Sequence, residues 1–245
     1  MLLQGKHILV TGGSRGLGRS LCVTFAREGA NVAFNYSNDT EGASQTLKEA
    51  SFYGTKIVSF KCPITSLQSV HEMVTGIEKS WGRIDILVNN AGISQMFTIA
   101  LLNEEDWDLM MDINVKGTYL VTREVLRGMI RRRYGKILNI GSIAGMRLIE
   151  SPVHYATSKA AIKGFTESLA KEMARYGITV NSIAPGLLEG GVGKSLPSYR
   201  LKDYLKHCSL GRVANFSEVS ECAAFLVSDE NSYMNGATII MDGGL

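Results

Sequence analysis

The chain has 245 residues, 45% of them hydrophobic and 20% charged, and a formal net charge of +3. That size and apolar content allow one α/β domain with a large core, and the nearly neutral balance gives no general argument for nucleic acid. Cys22, Cys62, Cys208 and Cys222 form no Cys-x-x-Cys pair and have no histidine at ligand spacing, so free thiols in a reducing cytosol are expected rather than a metal or redox centre.

The N-terminus carries no secretory pattern, and no apolar run approaches the roughly 18–20 residues that span a bilayer. A cytoplasmic protein without a membrane partner is expected. Strands are read at 7–11 (HILVT), 31–36 (NVAFNY), 56–60 (KIVSF), 84–88 (IDILV), 136–140 (KILNI), 178–182 (ITVNS) and 237–241 (ATIIM). These runs are nearly continuous rather than alternating, as in strands covered on both faces. Helices are read at 16–28, 41–52, 67–81, 104–133 in pieces, 155–176 and 217–228. The alternation predicts a single domain over 1–245, a doubly wound α/β fold with a seven-stranded parallel sheet and helices on both faces.

After the first strand comes Thr11-Gly12-Gly13-Ser14-Arg15-Gly16-Leu17-Gly18, opening the first helix. Gly12 permits the tight turn, Gly16 lets backbone approach a diphosphate, and Gly18 lets helix and strand pack closely. The free N–H groups and positive dipole of the helix start suit phosphate oxygens. In this strand–turn–helix context the pattern predicts a Rossmann dinucleotide site. The second strand ends Tyr36-Ser37-Asn38, with no carboxylate until Asp39. An acid there would accept from the ribose 2′-OH of NAD; Arg15, Ser37 and Asn38 instead suit the 2′-phosphate of NADPH. The plainer alternative for Arg15 is a solvated loop charge.

Further along lie Asn114 in a helix, Ser142 just past the fifth strand, and Tyr155 and Lys159 on one helical face. Carbonyl reduction needs a proton donor for the developing alkoxide. A free tyrosine, with a pKa of about 10, is a poor one, and a nearby ammonium lowers that value. A serine hydroxyl can hold the substrate oxygen. Alone, a tyrosine and a lysine at this spacing are ordinary helix surface. The segment 186–207, rich in glycine, breaks the strand–helix rhythm at the edge where open parallel sheets bind ligands, and is read as a substrate lid.

Together Thr11–Gly18, Asn89-Asn90-Ala91-Gly92, Asn114, Ser142, Tyr155-Ala-Thr-Ser-Lys159, Pro185-Gly186 and Met241-Asp-Gly-Gly244 closely resemble the short-chain dehydrogenase/reductase family over essentially the whole chain. The resemblance implies a catalytic tetrad. Tyr155 is the general acid, Ser142 orients the carbonyl, and Lys159 tunes the tyrosine and binds the nicotinamide ribose. Asn114 holds a water linking Lys159 to solvent. Asn90, Ala91 and Gly92 border the adenosine ribose, and Ile183, Pro185 and Gly186 line the nicotinamide pocket. Two positions depart from the family pattern. Pro63 stands where an aspartate usually meets the adenine amino group, and Gly190 where a threonine usually bonds the carboxamide.

Within that family the chain is most similar to 3-oxoacyl-[acyl-carrier-protein] reductases, through Arg-Tyr-Gly-Ile-Thr-Val-Asn181, Leu-Gly-Arg212 and Phe-Leu-Val-Ser-Asp229. The likeness implies fatty acid biosynthesis, a homotetramer, and an acyl carrier protein received by Arg131, Arg132, Arg133 and Arg175 beside the pocket mouth. A solvated basic helix end is the plainer alternative, since cations favour helix C-termini. Ser94-Gln95-Met96-Phe97 differs from those reductases, and Met96, Phe97, Met146 and Leu148 are expected to form an apolar pocket. Three readings stay open: a β-ketoacyl reductase, a reductase of a free ketone, sugar or secondary alcohol, and a dinucleotide-binding regulator without chemistry.

Overall fold

The computed structural model describes residues 1–147, 150–190 and 198–245. Seven parallel strands form one sheet in the order β3-β2-β1-β4-β5-β6-β7: β1 His7–Val10, β2 Asn31–Tyr36, β3 Ile57–Lys61, β4 Ile86–Asn89, β5 Gly135–Ile140, β6 Ile178–Pro185 and β7 Thr238–Met241. The helices are α1 Gly16–Arg27, α2 Thr40–Ser51, α3 Leu67–Trp81, α4 Glu104–Met111, α5 Thr118–Arg132, α6 Val153–Met173, α7 Ser198–His207 and α8 Phe216–Val227.

The strands are apolar throughout because successive side chains enter two different cores. Ile8 and Val10 of β1 join Leu21 and Phe25 of α1 and Val219 and Ala223 of α8. Leu9, between them, joins Val70 and Ile77 of α3, Val125 and Met129 of α5, and Met173 of α6. Local chemistry starts several helices. Asp39 accepts from Gly42 N at 2.9 Å at the head of α2, Ser66 from Ser69 N at 3.3 Å at α3, and Asn103 from Asp106 N at 2.8 Å at α4.

Three features depart from the sequence expectation. β6 runs on to Pro185 because Ser182–Pro185 pairs with Thr238–Met241 of β7. Between α4 and α5 the chain makes a π-turn over Asp112–Gly117 rather than an α-turn, and Asn114 sits inside it. In the expected lid, 198–207 is helix α7, while residues 191–197 lie outside the described residues.

Candidate active site

A cleft of about 1870 Å³ opens at the C-terminal edge of the sheet and is bordered by the glycine turn, the 90–94 loop, Ser142, Tyr155, Lys159 and the 185–190 segment. The cradle at its first end is built from the turn outward. Gly12 has φ +70°, and a Cβ there would lie 2.9 Å from the Ala91 Cα; one at Gly18 would run into the Gly12 carbonyl oxygen. Thr11 Oγ1 accepts from the backbone N–H groups of Asn90 and Ala91, each at 3.0 Å. Asn90 Nδ2 donates back to the Thr11 and Gly12 carbonyls at 3.0 and 3.1 Å. Asn90 thus ties the loop to the turn, while Asn89 bonds Thr122 and Asn139 in the strand layer below.

Unlike α2, α3 and α4, helix α1 has no side-chain cap; its first turn holds no acid, and Arg15 precedes it in extended conformation. Its free N–H groups border the cleft through Gly16, Leu17 and Gly18, with Ser14 alongside. An open helix start beside backbone that only glycine allows is a fitting receptor for a diphosphate. Arg15 borders the cleft together with Tyr36, Ser37 and Asn38. It is exposed, and its side chain makes no hydrogen bond or ion pair among the described residues. Arg19, one turn further, is held by Ser14 O at 2.9 Å and Thr46 Oγ1 at 3.2 Å. Asp39 caps α2, and that bond from Gly42 N, ahead of the nearby arginines, keeps its carboxyl below the usual range. Pro63 borders the cleft with Ile64 and Thr65 and carries no polar side chain there.

The four tetrad positions converge. Lys159 Nζ donates to the Ile140 carbonyl at the end of β5 at 2.9 Å and lies 5.8 Å from the Tyr155 ring centroid. Beside the Gly92 backbone, a Cβ would be 3.1 Å from Asn114 Oδ1 and 3.7 Å from Lys159 Nζ. The buried Asn114 amide clasps the 90–94 loop: Oδ1 accepts from Ile93 N at 2.8 Å and Nδ2 donates to Ile93 O at 3.0 Å. Ser142 Oγ accepts from Ala144 N at 3.2 Å at the start of a short 3₁₀ turn. Burial pushes the Tyr155 hydroxyl above its ordinary value, and its hydrogen bond with Ser142 draws it partly back. Burial lowers Lys159 to about 8. The Lys159 ammonium is turned toward the strand carbonyl, and Ser142 is the group that offsets the burial of the Tyr155 hydroxyl.

On the substrate side the expected apolar pocket is only partly present. Met96 borders the cleft; Phe97 and Met146 do not, and Leu148 lies outside the described residues. Tyr199, Arg200, Asp203, Tyr204 and His207 of α7 line the opening with Glu150. Arg200 pairs with Glu150, and Tyr204 Oη accepts from Leu187 N at 3.1 Å and donates to Asp242 O at 3.3 Å. The α7 residues fall within the expected lid without being singled out from sequence, and Glu150 was missed. Leu201, Tyr204 and Leu205 carry a weak helical spacing, but glycines and Pro197 surround it.

A profile of the short chain dehydrogenase family matches residues 6–200. The chain belongs to this family. It is 38% identical over 245 residues, 100% of this chain and 99% of the relative, to the 3-oxoacyl-[acyl-carrier-protein] reductase FabG of Thermotoga maritima. A short chain dehydrogenase from Burkholderia cenocepacia, solved in complex with NADP, superposes with a TM-score of 0.93 at 29% identity, covering 100% of this chain and 99% of that one. An NAD⁺-bound xylitol dehydrogenase does so with a TM-score of 0.93 at 30% identity, covering 100% of both chains. As a short-chain dehydrogenase, the protein is an oxidoreductase of carbonyl and hydroxyl groups that uses a nicotinamide dinucleotide.

In this short-chain dehydrogenase the four arginines do not flank the cleft of their own chain. Arg132 Nη2 donates to the Ile84 carbonyl, ahead of β4, at 2.6 Å, and Arg133 Nη2 to the Arg175 carbonyl, ahead of β6, at 2.7 Å. That is the N-terminal edge of the sheet. A strand of six residues, about 20 Å long, separates it from Ser142 and Lys159. Arg132 and Arg133 therefore hold local backbone, and Arg133 does so from a left-handed φ of +53°. Arg131 and Arg175 stay exposed.

Proposed function

We propose that the protein reduces the 3-oxo group of an acyl thioester borne on an acyl carrier protein, with NADPH as reductant. Full-length likeness to a 3-oxoacyl-[acyl-carrier-protein] reductase carries this reading, and convergence of Ser142, Tyr155 and Lys159 on one cleft, with Asn114 buried behind the Ile93 backbone, supports it. Gly12, Ser14, Gly16, Leu17 and Gly18 hold the diphosphate, and Arg15, Tyr36, Ser37 and Asn38 receive the adenosine ribose phosphate. Asn90, Ala91 and Gly92 border that ribose, and Pro185 and Gly186 wall the nicotinamide. When bound, NADPH supplies the hydride. Ser142 holds the substrate oxygen, and Tyr155 donates the proton to it. Lys159, protonated, stabilises the phenolate left behind, and the clasped Asn114 keeps a route for the replacement proton.

The pH dependence follows from Lys159. Its ammonium is present below about 8 and is lost as pH rises through that value. kcat/KM for reduction is expected to be level near pH 7 and to fall about tenfold per pH unit well above 8. A profile without that inflection, or one unchanged in Lys159→Met, would refute the role given to the ammonium.

The identifying experiment is NADPH oxidation with a carrier-borne 3-oxoacyl substrate, a small 3-oxoacyl thioester, free ketones and sugars. The carrier-borne thioester is expected to be the best substrate. A second reading, reduction of a small hydroxylated ketone, is favoured by the polar rim of Glu150, Arg200, Asp203 and His207; greater kcat/KM on a free sugar or ketone would move it ahead. Because the arginines sit a strand's length from their own tetrad, we propose that a carrier on Arg131 and Arg175 serves a neighbouring copy in a cytoplasmic homotetramer. Arg131→Glu with Arg175→Glu should lower kcat/KM for the carrier-borne substrate about tenfold at low salt and less as salt rises. The small thioester should be unaffected. Equal losses on both substrates would point to a damaged cleft instead.

A further inference from the structure

Phe216, the first residue of α8, is remote in the chain from the tetrad and the glycine turn, yet it borders the cleft. Two backbone bonds and one to a side chain fix it there. Leu187 O accepts from Ala214 N at 3.0 Å, Glu189 N donates to Ala214 O at 2.9 Å, and Phe216 N donates to Glu189 Oε1 at 3.0 Å. The head of α8 is thereby zipped to the segment that follows β6. A second clamp holds the same head: Glu218 accepts from Asn215 N at 2.8 Å and from both Arg212 amino groups at 2.8 and 2.7 Å. The ring cannot drift far.

Its tip lies between two glycines on opposite walls. A Cβ at Gly190 would be 2.6 Å from the Phe216 Cζ, and one at Gly16 would be 3.5 Å from the same atom. Gly16 belongs to the diphosphate turn and Gly190 to the nicotinamide side. An aromatic tip is half-buried between them, and glycine at 190 makes room for it. We propose that Phe216 is a positioning residue for the dinucleotide, an apolar wall spanning the gap between diphosphate and nicotinamide, and that Gly190 is small in order to admit the ring. Such a wall keeps water from the reacting half and holds it by van der Waals contact, with no hydroxyl supplied from position 190. The inference rests on the dinucleotide reading above but not on the choice of carbonyl substrate.

The test is a binding cycle read by NADPH fluorescence without substrate, so it does not depend on which carbonyl is reduced. Phe216→Ala is expected to weaken NADPH binding about tenfold, the scale of one lost aromatic contact. Thermal unfolding of the unliganded protein should barely move, since the ring tip faces the cleft. Gly190→Thr is expected to weaken binding similarly by pushing the ring aside. The key arm is the double variant. With the ring gone, threonine at 190 has nothing to displace, so Phe216→Ala/Gly190→Thr should bind no worse than Phe216→Ala. Binding within twofold of the parent for Phe216→Ala would overturn the proposal. So would tighter binding, which would mean that the ring occupies the cofactor's room. A double loss equal to the product of the single losses would overturn the coupling. A parent protein that binds neither NADPH nor NADH would overturn both this inference and the reading beneath it.

Discussion

Tyr155→Phe is expected to lower kcat for carbonyl reduction by about two to three orders of magnitude, the scale of general acid catalysis lost. The phenol lies beside Ser142 in a buried setting that keeps it protonated, so at neutral pH nearly every molecule carries the proton the reaction needs. Removing the oxygen removes that donor and leaves the rest of the cleft in place. NADPH affinity should change little, because the proposed anchors of the cofactor, the α1 start and Arg15, are left untouched. Single-turnover kinetics with NADPH already bound isolates the loss in the chemical step. If Tyr155→Phe reduced a good substrate at near-parent rates, another group would have to supply the proton, and the assignment would be wrong.

Arg15→Ala is expected to raise the KM for NADPH about 10- to 100-fold, as a charge-assisted bond to phosphate is lost, and to leave the KM for NADH nearly unchanged. Three observations set this expectation. The guanidinium is exposed at the cleft with no partner among the described residues; Asp39 is engaged as the α2 cap; and Arg19, the neighbouring cation, is already bonded to Ser14 and Thr46. Tyr36→Asp should shift preference toward NADH from the other side, by placing a carboxylate where the phosphate would lie. The decisive comparison is kcat/KM for both cofactors in the parent protein. Equal values would remove Arg15 from the site.

What could be read from the sequence followed the range of the interactions involved. β1, the glycine turn and α1 were legible because apolar period, glycine placement and helix start all lie within a few residues. The tetrad was legible only as an ordered set of short motifs, since no spacing alone distinguishes Tyr155 and Lys159 from a helix surface. Long-range pairing was hidden. Nothing in ITVNSIAP announces that β6 continues to Pro185, because that end is set by β7, more than fifty residues away. The same holds for Lys159, whose ammonium finds the Ile140 carbonyl rather than the phenol, and for the arginines, whose edge of the sheet is a property of topology. α7 escaped because it is short and follows Pro197 and the glycines of the expected lid, although Leu201, Tyr204 and Leu205 are helically spaced. Phe216 escaped because its meaning lies in Gly16 and Gly190, which are remote from it in the chain.

The π-turn at Asp112–Gly117 also acts as a length gauge. It accommodates one residue more than an α-helical path would need, and in a helix each residue is worth about 100° of rotation. Excising one residue there would give a more regular helix, yet it would swing Asn114 round the axis and away from Ile93, whose backbone it holds on both sides. Surface loops in general tolerate lengthening and shortening. This stretch cannot: its apparent irregularity fixes the rotational phase between α4 and α5, and with it the seat of the 90–93 loop.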